Sequence, residues 1–131
     1  MSARAQTAQA PKKAVVYIAG PFTASTSWGL AENIRAAERW GLEVARFGAM
    51  PLIPHSNTGN FHGLLTPEFW YQGTLELLSR CDGALFIPGW LQSKGSVAEH
   101  EWCETNGLPF FGVGHLKSGE FAHWLRTGEE P

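Results

Sequence analysis

Charge is scarce in this sequence and nearly balanced. Only 17% of its 131 residues are Asp, Glu, Lys or Arg, below the roughly one quarter that is ordinary, which excludes long solvated or disordered stretches over most of the length. Ten basic against 12 acidic residues leave a net charge of -2, so no basic excess exists to draw a nucleic-acid polymer or an anionic membrane surface. Long hydrophobic runs are missing too: Ala84-Leu85-Phe86-Ile87 is far too short to cross a bilayer. Two cysteines, Cys81 and Cys103, make no disulfide framework, and no signal-peptide core follows the start. Aspartate is nearly absent, Asp82 being the only one. The expectation is a small, soluble protein of the cytoplasm.

What is present is apolar mass: 44% hydrophobic residues, with eight Phe, six Trp and two Tyr, enough to fill one core. Met1–Lys13, rich in Ala, Gln, Ser and Thr, is expected to be a flexible tail, and 14–131 a single domain. Ala14–Ala19 is a β-branched run stopped by Gly20-Pro21, hence a buried strand. Ser25, Thr26 and Ser27 offer N-caps to a helix carrying Leu30, Ile34, Ala37, Val44 and Phe47, with Gly48 as its stop. Met50–Pro54 is a second strand, limited by its prolines. His55–Thr66 reads as a functional loop. Thr66 caps and Pro67 opens a second helix reaching about Arg80. Asp82–Pro88 is a third strand, Ser96–Asn106 a third helix ended by Gly107, Leu108–Val113 a fourth strand and Glu120–Arg126 a last helix.

Strands alternating with helices imply parallel pairing with right-handed crossovers. The fold class is therefore α/β, a three-layer Rossmann-like (flavodoxin-like) domain with four or five parallel strands. Ligands in such sheets bind beyond the carboxyl ends of the strands, which hold Gly20–Ser27, His55–Asn60 and Pro88–Glu99. The last of these is the richest in chemistry. Gly95 lets backbone approach a ligand, and Ser93, Ser96 and free amides can hold an anion at a helix N-terminus beside Lys94. Glu99, in the first turn, stays ionised there as a nucleophile must, or is simply an acid favoured by the helix dipole.

Three segments, Val16–Pro21, Cys81–Trp90 and Ser93–Glu99, together resemble the nucleoside 2-deoxyribosyltransferase superfamily, in its small bacterial and phage branch, over about Val15–Gly107. The resemblance implies attack of Glu99 on the anomeric carbon of a nucleoside, with Tyr17 orienting it and a covalent sugar–enzyme intermediate. Six residues before the nucleophile, transferases carry an Asp for the 5'-hydroxyl, whereas 2'-deoxynucleoside 5'-phosphate N-hydrolases carry a Ser. Ser93 stands here, and a hydroxyl in a glycine-bearing loop suits a phosphate that an Asp would repel. Thr23, Ser25 and Ser27 are further donors or plain helix caps. The family's Asp that assists the leaving base, eight residues before Asp82, is replaced by Thr74. Its work then falls to His55, Glu68, Glu76 or water, His55 first; a general acid is ordinarily worth ~10²–10⁴-fold.

The expected catalytic set is thus Glu99, Tyr17 and His55. The expected binding set is Gly20, Phe22, Thr23, Trp90, Ser93, Gly95 and Ser96, with Trp70 and Tyr71 as further aromatics that could stack on a base or belong to the core. His100 with Glu104, and Glu99 with Cys103, have the i, i+4 spacing of metal ligands but lack a third partner, so neither metal nor cofactor is expected. His62, His115 and His123 read as surface or satisfied histidines, and Asp82 as a cap. The resemblance also implies a nucleotide or nucleoside substrate and a homodimer or higher homo-oligomer. Phe110, Phe111, Phe121 and Trp124 would form its interface or pack on the sheet. The activities in contention are the N-glycosidase, a deoxyribosyltransferase, a ribonucleotide phosphoribohydrolase suggested by Pro88-Gly89 and Gly95–Glu99, and a nucleotide-binding module without turnover.

Overall fold

Alternation along the first strand decides the architecture. In β1 (Val15–Ala19) Val16 and Ile18 face one cluster of buried side chains while Tyr17 and Ala19 face another, so the strand is buried on both sides, as a central parallel strand must be. The computed structural model describes residues 13–130. The predicted tail lies outside the described residues except for Lys13, whose Nζ donates to Gly48 O (3.3 Å).

Four strands, β1, β2 (Met50–Leu52), β3 (Gly83–Phe86) and β4 (Phe110–Gly112), form one parallel sheet in the order β2-β1-β3-β4. Tyr17 pairs with Leu52 on one side and Ala84 on the other. On one face, α1 (Ser27–Arg46) and α6 (Glu120–Thr127) bring Ala37, Val44, Phe121 and Trp124 onto Val16, Ile18, Leu85 and Phe111. On the other, α3 (Pro67–Ser79) and α4 (Lys94–Asn106) bring Leu78 and Cys103 onto Tyr17, Ala19, Ala84 and Phe86. This is the three-layer Rossmann-like arrangement. Each large apolar side chain buried in these layers contributes about 1.5–3 kcal/mol. Phe111, Phe121 and Trp124 therefore pack on the sheet.

Of the three offered N-caps for α1, Thr26 is the one used, its Oγ1 accepting from Gly29 N at 3.0 Å. Thr66 likewise caps α3 through Phe69 N. Several boundaries differ from expectation. The second strand stops at Leu52, and Pro54 opens a short helix, α2 (Pro54–Thr58), followed by a 3-10 turn at Gly59–Phe61; proline has no N–H to give a ladder but suits a first helical position. The presumed loop is therefore half helical. A further short helix, α5 (Gly114–Ser118), separates β4 from α6. Asp82 accepts from Val15 N (2.8 Å) while its own N–H donates to Val15 O (2.9 Å), fastening β1 to the entry of β3 at the sheet end opposite the predicted site. No helix among the described residues is long and apolar enough to cross a membrane.

Candidate active site

The strand order reverses between β1 and β3, and the two chains leave that point for opposite faces of the sheet. A crevice at such a place is set by the loops that bound it. Two glycines let these loops meet: a Cβ at Gly20 would lie 2.4 Å from Ile87 Cγ1, and one at Gly89, where φ is +93°, would lie 3.0 Å from Pro21 Cγ. A side chain at Gly20 would require Ile87 to shift, and one at Gly89 would be strained by the left-handed backbone there.

The loop after β1 is held by two side chains. His55 Nε2 lies 3.1 Å from Gly20 O and 3.0 Å from Pro21 O. Carbonyls only accept, so Nε2 carries the proton. Asn33 Nδ2 donates to Phe22 O (3.0 Å) and Thr23 O (3.4 Å), a contribution sequence reasoning missed because a lone helical Asn has no distinguishing pattern. Burial holds the His55 imidazole below its ordinary pKa, partly offset by the two carbonyls. Its Nδ1 is enclosed with no hydrogen-bond partner. A neutral ring fastened in this way is a clasp for the loop and a poor proton donor.

On the facing side, Ser93 is the N-cap of α4, its Oγ accepting from Ser96 N at 3.3 Å. The helix accordingly starts at Lys94, two residues earlier than expected. The cap takes up the Ser96 amide, and the Ser96 hydroxyl, in a residue 2% exposed, is enclosed without a partner. Lys94 and Gly95 are exposed, with open space around Gly95, and Ser93 is half-buried with its hydroxyl proton uncommitted by the cap.

Three residues beyond Ser96, Glu99 turns inward. It is 7% exposed and Tyr17 only 1%, and the Tyr17 hydroxyl donates to Glu99 Oε2 across 82 residues of sequence. Burial pushes the Glu99 carboxyl up to about 7, against the opposing pull of that hydrogen bond. The Tyr17 phenol rises well above its usual value, through burial first and the nearby Glu99 charge second. An inward carboxylate poised near neutrality is the arrangement that nucleophilic or general-base chemistry uses. Thr74, on α3, donates its hydroxyl to Tyr71 O (2.9 Å) and has a small lowering effect on the phenol, outweighed by burial and Glu99. Cys103 neighbours Glu99, and burial pushes its thiol up to about 12 and that of Cys81 to about 11; both are inert apolar fillers at neutral pH.

The remaining candidates disperse. Glu68 and Glu76 lie on the exposed side of α3, against Gln72 Nε2 (3.3 Å) and Arg80 Nε (3.0 Å), and so do not join the Tyr17–Glu99 pair. Trp90 stacks on His100 (4.5 Å, 17°) and tilts against Phe86, with Phe110 at the edge of the imidazole. His100 is held by Glu104 at 3.3 Å. Phe22 meets His55 and His62 edge-on, while Trp70 stacks on Phe61 and donates to Leu64 O. Thr23, Ser25 and Ser27 are exposed. His115 accepts from Gly112 N and pairs with Glu120, and His123 pairs with Glu129. Among the described residues no three His, Cys, Asp or Glu converge as metal ligands. An open groove of about 440 Å³ lined by Pro51, Leu52, Ile53, Ser56, Asn57 and Leu77 flanks β2; none of the predicted site residues lines it.

Comparison with curated proteins gives no match. Residues 14–111, from the entry into β1 to the middle of β4 and including Tyr17, Thr74 and Glu99, match the family described as "Domain of unknown function (DUF4406)", and the chain belongs to that family.

Proposed function

We propose that the protein is a retaining N-glycosidase of the nucleoside 2-deoxyribosyltransferase type, acting on a 2'-deoxynucleoside 5'-monophosphate. The observation that carries this reading is the buried carboxylate of Glu99 held by the Tyr17 hydroxyl at the end of a parallel sheet. Glu99 gives an electron pair to C1' of the sugar, the C1'–N bond breaks, and its electrons leave with the base, which takes a proton from water. A second water then attacks C1', returns Glu99 as a carboxylate and leaves deoxyribose 5-phosphate. Net, one water is consumed, its hydrogen on the base and its hydroxyl on the sugar. If a base reaches C1' before water does, the same intermediate yields transfer.

Tyr17 favours the ionised carboxylate by donating to it, against the burial that raises its pKa, and releases one oxygen for attack. The 5'-phosphate sits at the N-terminus of α4, where the Gly95 amide, the Ser93 hydroxyl and Lys94 supply donors and the helix dipole favours an anion. The neutral, fastened His55 and the outward Glu68 and Glu76 support protonation by water over protonation by a side chain. A copy of the chain is proposed as the partner, in a homo-oligomer located in the cytoplasm. One alternative has an observation of its own: the lack of a side-chain acid for the leaving base suits a nucleotide-binding module without turnover.

Incubation with each of the deoxynucleoside monophosphates, followed by chromatography for free base, tests the proposal. Wild type is expected to release base and Glu99→Gln to release none while remaining folded by circular dichroism. Absence of free base with every nucleotide overturns the glycosidase reading, and tight binding in the same samples favours the binding module.

A further inference from the structure

Between buried Ile87 and buried Ser96, the connection from β3 to α4 is exposed at every residue except Trp90 and Ser93, which are half-buried. A connection of this length keeps one shape only where side chains anchor it. Both anchors lie on α4. Ser93 Oγ takes the Ser96 amide in the first turn. The Trp90 indole lies flat on the imidazole of His100, two turns along (centroids 4.5 Å apart, planes 17° apart). The imidazole is itself fixed by three neighbours. Phe86 of β3 and Phe110 of β4 meet it edge-on at 5.1 and 4.5 Å, and Glu104 Oε1 lies 3.3 Å from its Nδ1. Trp90 O accepts from Ser93 N (3.0 Å), which ties the stacked residue to the cap. Side-chain contact across a helix start fixes the angle at which the chain enters. The reaction above leaves His100 unused.

We propose that His100 is a positioning residue for the nucleotide 5'-phosphate: by stacking on Trp90 it holds the turn from Ser93 to Gly95 in its binding shape before the ligand arrives. This rests on the glycosidase reading, which assigns the phosphate to that turn. Loss of the ring leaves Trp90 without its wall. Ordering of the connection then falls on the binding step and weakens it. Glu99 is spared, because it lies on the buried face of α4 with Ser96 and Cys103 and bonds to Tyr17; attack on C1' does not draw on the stack. A deoxynucleoside without a phosphate does not use the turn either. The imidazole serves as a flat face, and its protons take no part.

Calorimetry with a deoxynucleoside monophosphate and with the matching deoxynucleoside measures binding, and base release gives KM and kcat. The stack is read from 15N-labelled indoles, six in the chain, with Trp90→Phe identifying the Trp90 resonance. His100→Ala is expected to move that resonance and to raise Kd and KM for the nucleotide about tenfold, with kcat unchanged. Its affinity for the deoxynucleoside is expected to match that of wild type. His100→Phe, which restores a flat ring without the Glu104 contact, is expected to return nucleotide affinity. An Ala variant that binds nucleotide as wild type does, or that weakens nucleotide and nucleoside alike, overturns the role of His100 and leaves the glycosidase reading in place. So does a folded Phe variant as weak as Ala. A wild type that binds the nucleotide and releases no base overturns the glycosidase reading alone.

Discussion

At the scale of single residues, Glu99 sets stability against reactivity. Its carboxyl is held near 7 in the fold against 4.5 in the open chain. Below 4.5 both states are protonated and Glu99 makes no difference. Between about 4.5 and 7 the unfolded chain has released a proton the folded one keeps, so stability falls as pH rises, by roughly 3 kcal/mol in all. Glu99→Gln keeps an acceptor for Tyr17 and removes this loss. Its melting temperature is expected to exceed that of wild type by about 5–10 °C at pH 8 and to match it at pH 4.5; equal melting at pH 8 contradicts a buried, costly carboxylate. The same titration governs the reaction, because only ionised Glu99 attacks. In wild type, kcat/KM for a deoxynucleoside monophosphate is expected to rise about tenfold per pH unit below 7 and level off above it. His55 acts with the opposite sign. Its folded pKa is depressed, so its contribution is present above about 6.5, the value of a free imidazole, and is lost as pH falls through the folded value. In the Glu99→Gln background this acid-side loss is expected to stand alone as a fall in melting temperature below pH 6.5.

The N-terminus of α4 joins a structural role to the proposed binding role in one residue. Ser93 caps the helix, and loss of such a cap costs about 1 kcal/mol. Ser93→Ala therefore confuses loss of stability with loss of ligand. Ser93→Asp separates them: aspartate caps as well as serine and suits the dipole, but repels a phosphate dianion. The variant is expected to melt no lower than wild type and to bind a deoxynucleoside monophosphate at least tenfold more weakly, with relative gain for the unphosphorylated nucleoside. Unchanged discrimination between the two would remove the phosphate from this loop. The same helix shows what was readable beforehand. Gly107 stops it at φ +70°, at the end the sequence predicts for it. Its start was misplaced by two residues, because Ser93 and Ser96 are equally good caps in sequence and only packing of Ser96 inside the helix decides between them. The four strands were legible through apolar runs bounded by Gly, Pro and Asp. The helix at Pro54 and the turn of helix at Gly114 were not, since five residues carry too little periodicity to register. Glu99 and Tyr17 lie far apart in sequence, and their pairing came from resemblance to a family. No local pattern predicts a contact that depends on where two strands and a helix meet. Asn33 escaped for the same reason.

At the scale of the whole fold, half of the exposed large apolar side chains among the described residues fall in one segment. Phe61, Leu64, Leu65, Phe69 and Tyr71 are all exposed within 11 positions spanning the 3-10 turn and the first turns of α3. Isolated exposed apolar residues are ordinary, but a contiguous set this size marks a contact surface. Leu65 adds a backbone sign, as the only non-glycine residue at positive φ (58°) among those described. That conformation costs about 1 kcal/mol for such a side chain and places an apolar group in water, two penalties a lone monomer has no cause to keep. A second copy of the chain covering the segment offsets both, in keeping with the proposed homo-oligomer. Sedimentation of the wild type at micromolar concentration is expected to give a dimer or larger species. Leu65→Asn, which tolerates the left-handed backbone, and Phe69→Glu, on the exposed side of a helix, are expected to sediment as monomers with helical content intact. Since the turn before α3 sets His62 edge-on against Phe22, an expected binding residue, dissociation is expected to raise KM for the nucleotide as well. A wild type that stays monomeric up to millimolar concentration rules out this assembly and leaves the exposed segment for another occupant.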